Sequence, residues 1–73
     1  MSNILDRLQI LVNGESFAVA PETTVAGLLA VLELDLRKVA VERNREIVPR
    51  STYANVVLNA GDEIEIVHFI GGG

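Results

Sequence analysis

The stretch Leu8-Gln9-Ile10-Leu11-Val12-Asn13-Gly14-Glu15-Ser16-Phe17-Ala18-Val19-Ala20 decides the fold. Leu8, Ile10 and Val12 alternate with Gln9, Leu11 and Asn13, the two-residue period of a strand. Asn13-Gly14 is the commonest two-residue hairpin turn, because both residues tolerate positive φ. The return strand spans Glu15 to Ala20. A two-residue loop sets Val12 opposite Glu15, Ile10 opposite Phe17 and Leu8 opposite Val19. Two of these same-face pairs are apolar, so the turn and the hydrophobic pattern demand the same register.

Moving outward, Pro21 ends the second strand because it cannot donate to a ladder. Thr23 or Thr24 is a good helix N-cap. Val25, Leu28, Leu29 and Leu32 fall at i, i+3, i+4 and i+7, one helical stripe. Gly27 lies off that stripe and lowers helix propensity by about 1 kcal/mol relative to Ala. It reads as a tolerated surface residue ahead of a site where another backbone approaches closely. Val39, Val41 and Arg43 alternate with Ala40 and Glu42. Asn44-Arg45 then turns the chain into Glu46–Val48, pairing Val41 with Val48 and Arg43 with Glu46. Arg45 is a poor residue for positive φ, which argues against a type I′ turn here. Pro49 ends the short strand. Residues 51–55 read as a turn or a single helical turn. Val56–Leu58 is a short apolar stretch before the turn Asn59-Ala60-Gly61-Asp62. The last strand runs from Glu63 to about Ile70. The order is β-β-α-β-β-β, an α+β layer architecture with one helix on one face of a sheet.

Composition bounds the function. The 73 residues make one domain, and a chain of this size buries only about 60% of its unfolded surface. It is 49% hydrophobic and 22% charged, with a mean hydropathy of +0.36, which excludes an intrinsically disordered chain. There is no cysteine, hence no disulfide and no thiolate metal site. Ten acidic against six basic residues give a net charge of -4, the wrong sign for a nucleic-acid module. That balance fits a protein meeting a basic partner surface. Met1 to Leu8 lacks the basic start and apolar run of a signal peptide. The longest strongly apolar stretch, between Glu22 and Glu33, is far short of the roughly 18 residues of a membrane span. A cytoplasmic location is the expectation.

The last strand carries more information. Ile64, Ile66 and Ile70 share one parity with His68, while Glu63 and Glu65 share the other with Val67 and Phe69. The strand begins with a clean apolar/polar split and ends apolar on both sides. Either its end is covered on both faces, or Val67 and Phe69 lie on the uncovered face as an exposed apolar patch used for binding. The second reading is preferred, because one helix covers only one face.

A catalytic set cannot be assembled. His68 is the one histidine and there is no cysteine, so neither a Ser/His/Asp nor a Cys/His arrangement is available. Glu63 and Glu65 share a strand face, which is ordinarily a solvated face and not a metal site. No glycine cluster precedes a helix, so there is no phosphate loop. What remains is Gly71-Gly72-Gly73, half of the chain's six glycines. Without side chains this segment can lie extended in a narrow groove. It is expected to end in a free α-carboxylate, which ATP can activate as an acyl-adenylate that a sulfur nucleophile or an amine then attacks. A carrier of that kind presents only its terminus, and its partners supply the catalytic groups. The alternative for three glycines is a disordered end; directly after a strand in a domain of this order, the reactive reading is preferred.

Ile47-Val48-Pro49-Arg50, Ala60-Gly61-Asp62-Glu63-Ile64-Glu65-Ile66, the ending Val67-His68-Phe69-Ile70-Gly71-Gly72-Gly73 and the strand Val39-Ala40-Val41-Glu42-Arg43-Asn44 resemble the bacterial thiamine-biosynthesis sulfur-carrier family, ThiS. The resemblance runs from about Leu8 to Gly73. It implies a ubiquitin-like β-grasp fold, with a mixed sheet of about four to five strands and one helix on one face. Residues 1–70 would be a single domain, with 1–7 a fraying leader and 71–73 a flexible tail. It also implies a mechanism. A ThiF-like adenylyltransferase would bind the exposed sheet face and adenylate the Gly73 carboxylate with Mg-ATP. Sulfur from a cysteine desulfurase persulfide would replace AMP and leave a Gly73 thiocarboxylate, which thiazole synthase (ThiG) would consume. The chain itself would bind no cofactor and catalyse nothing. Gly71 and Gly72 would thread the tail. Val67, Phe69 and Ile70 would dock partners. Arg50 would either add an ion pair to docking or remain a solvated or structural arginine. Arg45 departs from the glycine or small polar residue common in that turn of the family. A molybdopterin-synthase small-subunit-like carrier and a ubiquitin-like protein modifier share the fold and the activation chemistry; they differ in the acceptor.

Overall fold

A computed structural model of the chain describes residues 6–69. Of the leader 1–7 expected to fray, residues 1–5 lie outside the described residues, as does the whole of the expected tail 71–73. Strands β1 (Leu8–Val12) and β2 (Glu15–Val19) form the hairpin with the expected register, Val12 to Glu15, Ile10 to Phe17 and Leu8 to Val19. Asn13 and Gly14 take φ of 51° and 85°, the positive values that a two-residue hairpin turn needs. β2 ends at Val19, one residue before the expected Ala20.

Helix α1 (Val25–Val31) starts at Thr24, whose hydroxyl accepts the Gly27 N–H at 3.0 Å. The next two free N–H groups of the first turn are taken by a distant segment. Val25 N–H donates to the Val56 carbonyl and Ala26 N–H to the Tyr53 carbonyl, each at 2.9 Å. Residues 53–58 thus cap the helix that their own sequence leaves unannounced, and Val57 bridges to Thr24. At the other end Glu33 adopts φ of 60°, while Glu33 N–H donates to Ala30 and Leu34 N–H to Leu29. This is a Schellman closure built without glycine. A Cβ on Gly27 would meet only the Thr23 and Thr24 side chains, at 3.4 Å or more, so no foreign backbone approaches it.

β3 (Val39–Arg43) and β4 (Glu46–Val48) pair as expected, Val41 with Val48 and Arg43 with Glu46. The turn between them corrects the sequence reading. Asn44 and Arg45 both take positive φ, 53° and 72°, as a type I′ turn requires. Arg45 pays the left-handed penalty because its surroundings over-determine the turn. Asn44 donates its backbone N–H to Glu63 O, accepts the Glu63 N–H on Oδ1, and donates from Nδ2 to Asp62.

β5 (Glu63–His68) runs through the middle of a five-stranded mixed sheet ordered β2-β1-β5-β3-β4. It is parallel to β1 and antiparallel to β3. Val25, Leu28 and Leu29 of α1 form one buried cluster with Ile10, Val39, Val41, Ile64 and Ile66 of the strands, closed by Tyr53 and Leu58. The helix therefore covers one face, and the odd-numbered residues of β5 are left on the other.

Candidate functional site

The uncovered face follows from the register. Val67 of β5 stands opposite Ala40 of β3, and Glu65 stands opposite Glu42. Val67 is 62% and Phe69 55% exposed, and Ile47 of the neighbouring edge strand is also exposed. The expected apolar patch on the uncovered face is thus present at the end of β5. His68 lies at the exposed end of the same strand. Ile70, Gly71, Gly72 and Gly73 lie outside the described residues. Among the described residues no group of three or more His, Cys, Asp or Glu is placed to hold a metal ion.

Arg50 comes next to this patch from a separate loop. Its guanidinium lies 5.8 Å from the centroid of the Phe69 ring, and its Nε donates to the Leu36 carbonyl at 3.1 Å. The Phe69 N–H donates to the Lys38 carbonyl at 2.9 Å. The short turn Leu36–Lys38 and Arg50 therefore meet at the last described residue, a juxtaposition that sequence spacing does not show.

Two further features hold β5, and the sequence reading missed both. The first is a pair of turn asparagines. β1 runs out at Val12, opposite Ile64. The Asn13 side chain then replaces the next rung, accepting the Ile66 N–H at 2.8 Å and donating to the Ile66 carbonyl at 3.3 Å. Asn44 does the corresponding work for Glu63 on the β3 side. The second is Asp62, the one charged residue in the interior among the described residues, 6% exposed. Its carboxylate accepts from Arg43 Nε at 2.9 Å, from Asn44 Nδ2 at 3.1 Å and from the Asn59 N–H at 2.8 Å. The turn composition Asn-Ala-Gly-Asp signalled the bend; only the folded chain shows that Asp62 ties it to the Asn44 turn.

Burial disfavours the ionised form of Asp62, but the Asn59 amide, the Asn44 carboxamide and the Arg43 guanidinium outweigh it and hold the carboxyl below its ordinary range. The stabilising effect of a depressed carboxyl is complete above its unfolded-state pKa of about 3.9 and is lost as pH falls through the lower folded-state value. Asp62→Asn should lower stability at neutral pH by about 1–3 kcal/mol. It should also flatten the decline in stability below about pH 4. Urea unfolding between neutral and strongly acid pH checks this; an acid slope unchanged from the parent would contradict the assignment.

One helix packed across a five-stranded mixed sheet, with β5 between β1 and β3, defines the class: a β-grasp domain. The ThiS family model matches residues 6–73, and the chain belongs to the ThiS family. It is 45% identical over 62 residues to the sulfur carrier protein ThiS of Bacillus subtilis, covering 84% of this chain and 94% of that protein. It is also 54% identical over 66 residues to a thiazole synthase of Paramagnetospirillum magneticum, covering 90% of this chain and 20% of that one. The chain thus spans about a fifth of the length of such a relative. The crystal structure of the thiamine biosynthesis protein ThiS from Geobacter metallireducens superposes with a TM-score of 0.78 at 32% identity, over 90% of this chain and all of that one.

Proposed function

We propose that this chain is a sulfur carrier for thiazole formation in thiamine biosynthesis and that the Gly73 carboxylate is the group that carries the sulfur. The observation that carries this reading is the family match, which continues through Gly71, Gly72 and Gly73 to residue 73. The exposed Val67 and Phe69 at the root of that segment support it, because a carrier needs a docking patch beside its reactive end. The reading requires a free carboxylate at Gly73. A carboxylate oxygen attacks the α-phosphorus of Mg-ATP on a ThiF-type adenylyltransferase, and pyrophosphate leaves. A persulfide supplied by a cysteine desulfurase attacks the acyl carbon and expels AMP. A further thiol then attacks the cysteine's own sulfur in the resulting acyl disulfide, forming a disulfide with that cysteine and releasing the thiocarboxylate. Thiazole synthase is the acceptor; support comes from relatives of that name that contain a segment like this chain within a longer polypeptide. ATP and magnesium are consumed by the adenylating enzyme and do not reside in the carrier. These partners set the reaction in the cytoplasm. No helix among the described residues is long and apolar enough to cross a membrane.

In this scheme Gly71 and Gly72 thread the partner's channel, and Val67, Phe69 and Ile70 dock. Incubation with a ThiF-type enzyme, Mg-ATP and a desulfurase with cysteine should give an intact mass with one oxygen replaced by sulfur. An unchanged mass, with the enzyme shown active on its own carrier, would reject the reading.

A further inference from the structure

Arg50 has a role that neither the carrier chemistry nor the docking patch explains. Its main chain is tightly held. Pro49 opens the single 3₁₀ turn Arg50–Thr52. The Thr52 N–H and hydroxyl both donate to the Pro49 carbonyl, at 2.9 and 2.7 Å. The N–H of the buried Tyr53 donates to the Arg50 carbonyl at 3.1 Å. From this anchored turn the side chain reaches two groups at once: Nε donates to the Leu36 carbonyl, and the guanidinium faces the Phe69 ring. The nearby cation Arg37 is engaged elsewhere, on Asp35 at 3.1 Å. Phe69 itself hangs from Lys38 by a main-chain hydrogen bond. Arg50 and the Leu36–Lys38 turn thus meet at Phe69, the last described residue.

We propose that Arg50 is a positioning residue for the carrier terminus: it braces the Phe69 ring against the Leu36–Lys38 turn and so sets the direction in which the chain leaves β5. A planar guanidinium suits the task, because it can donate in its plane while its face lies over an aromatic ring. Gly73 lies four residues beyond Phe69, a reach of at most about 14 Å. A change of direction at the root therefore displaces the reactive carboxylate by an appreciable part of that length, and reactions in a narrow site are sensitive to displacements of about 1 Å.

This inference rests on the carrier reading for its consequence, but its first test needs no partner. In the free chain, Arg50→Ala should lower the backbone amide order parameter of Phe69 in nitrogen-15 relaxation. The parent should show ring-current displacement of the Arg50 side-chain protons, and Phe69→Leu should remove it. In the partner reaction, followed as ATP–pyrophosphate exchange by a ThiF-type enzyme, Arg50→Ala should lower kcat/KM by about two- to five-fold. Arg50→Lys should restore only part of this. The double variant Arg50→Ala/Phe69→Leu should be no worse than the worse single variant, because the two residues act as one unit. An order parameter unchanged in Arg50→Ala would overturn the proposal. So would losses that add in the double variant, the result expected if Arg50 contacts the partner directly. Failure of the parent chain to support exchange would count against the carrier reading and leave the relaxation test to decide the brace.

Discussion

On the proposed carrier reading, deleting Gly73 should abolish formation of the terminal thiocarboxylate and leave the stability of the domain unchanged. The truncated chain still ends in a glycine carboxylate, that of Gly72, so the functional group is chemically the same. What changes is reach: the carboxylate is withdrawn by about 3.5 Å. Adenylation needs an oxygen within attacking distance of the α-phosphorus, and even a 1 Å misplacement can cost about 10²-fold. The expected loss is therefore at least about 10²-fold, equivalent to roughly 2.7 kcal/mol or more in the barrier. Adding one alanine after Gly73 should be as damaging, because it moves the carboxylate the same distance forward and places a Cβ where the native chain has none. Stability should be unaffected by either change, since the hydrophobic cluster lies between Leu8 and Ile66. Intact-mass analysis after incubation with the adenylating enzyme and sulfur source, together with thermal unfolding, separates the two effects. A truncated chain that still acquires sulfur would refute the role assigned to the terminal carboxylate.

Replacing Ile64 by alanine should have the largest effect on stability. Ile64 is 1% exposed and sits in the central strand, opposite Val12 of β1 and Arg43 of β3. Truncating a fully buried isoleucine costs about 2–5 kcal/mol, through lost transfer energy and the cavity left behind. A chain of this length has about 4–11 kcal/mol of stability in all, so one substitution removes about a fifth of it at the least. At about 4–8 °C per kcal/mol for a small domain, Tm should fall by roughly 8–40 °C. Val67→Ser on the same strand is the control. Val67 is exposed, so its replacement should change stability by no more than about 0.5 kcal/mol. Calorimetry of the two variants checks the comparison; equal shifts would mean that the sheet face read as uncovered is in fact packed. The contrast also bears on the proposed function, because the strand whose buried face holds the core presents Val67, assigned to docking, on its other face.

Much of the fold was legible because strong local rules coincided. Asn13-Gly14 between two alternating runs left one register for β1 and β2. Pro21, Thr24 and the Val25/Leu28/Leu29 stripe bounded the helix in the same way. Parity along β5 placed Val67 and Phe69 on the opposite face from Ile64 and Ile66, and the single helix left that face open. Arg45 was misread because intrinsic preference is a weak force of about 1–2 kcal/mol per residue. The hydrogen bonds of Asn44 to Asp62 and Glu63 hold the turn against it.

Local sequence carries backbone preference and hydrophobic period, and here these specify the elements, their faces and the glycine end that points to the family. The order of strands in the sheet is a different kind of information. It brings β5 between β1 and β3, and with that Asn13 reaches Ile66 across 53 positions of sequence. It also sets Asp62 beside Arg43 and Arg50 beside Phe69, pairs separated by 19 positions each. None of these contacts leaves a periodic trace. Each is a hydrogen bond or ring contact made by a single side chain to a partner far away in sequence, and their meeting depends on loop closure and packing elsewhere in the chain. The glycine end assigned the carrier role was therefore readable as a motif, whereas the meeting of Arg50 with Phe69 existed only once the sheet had closed.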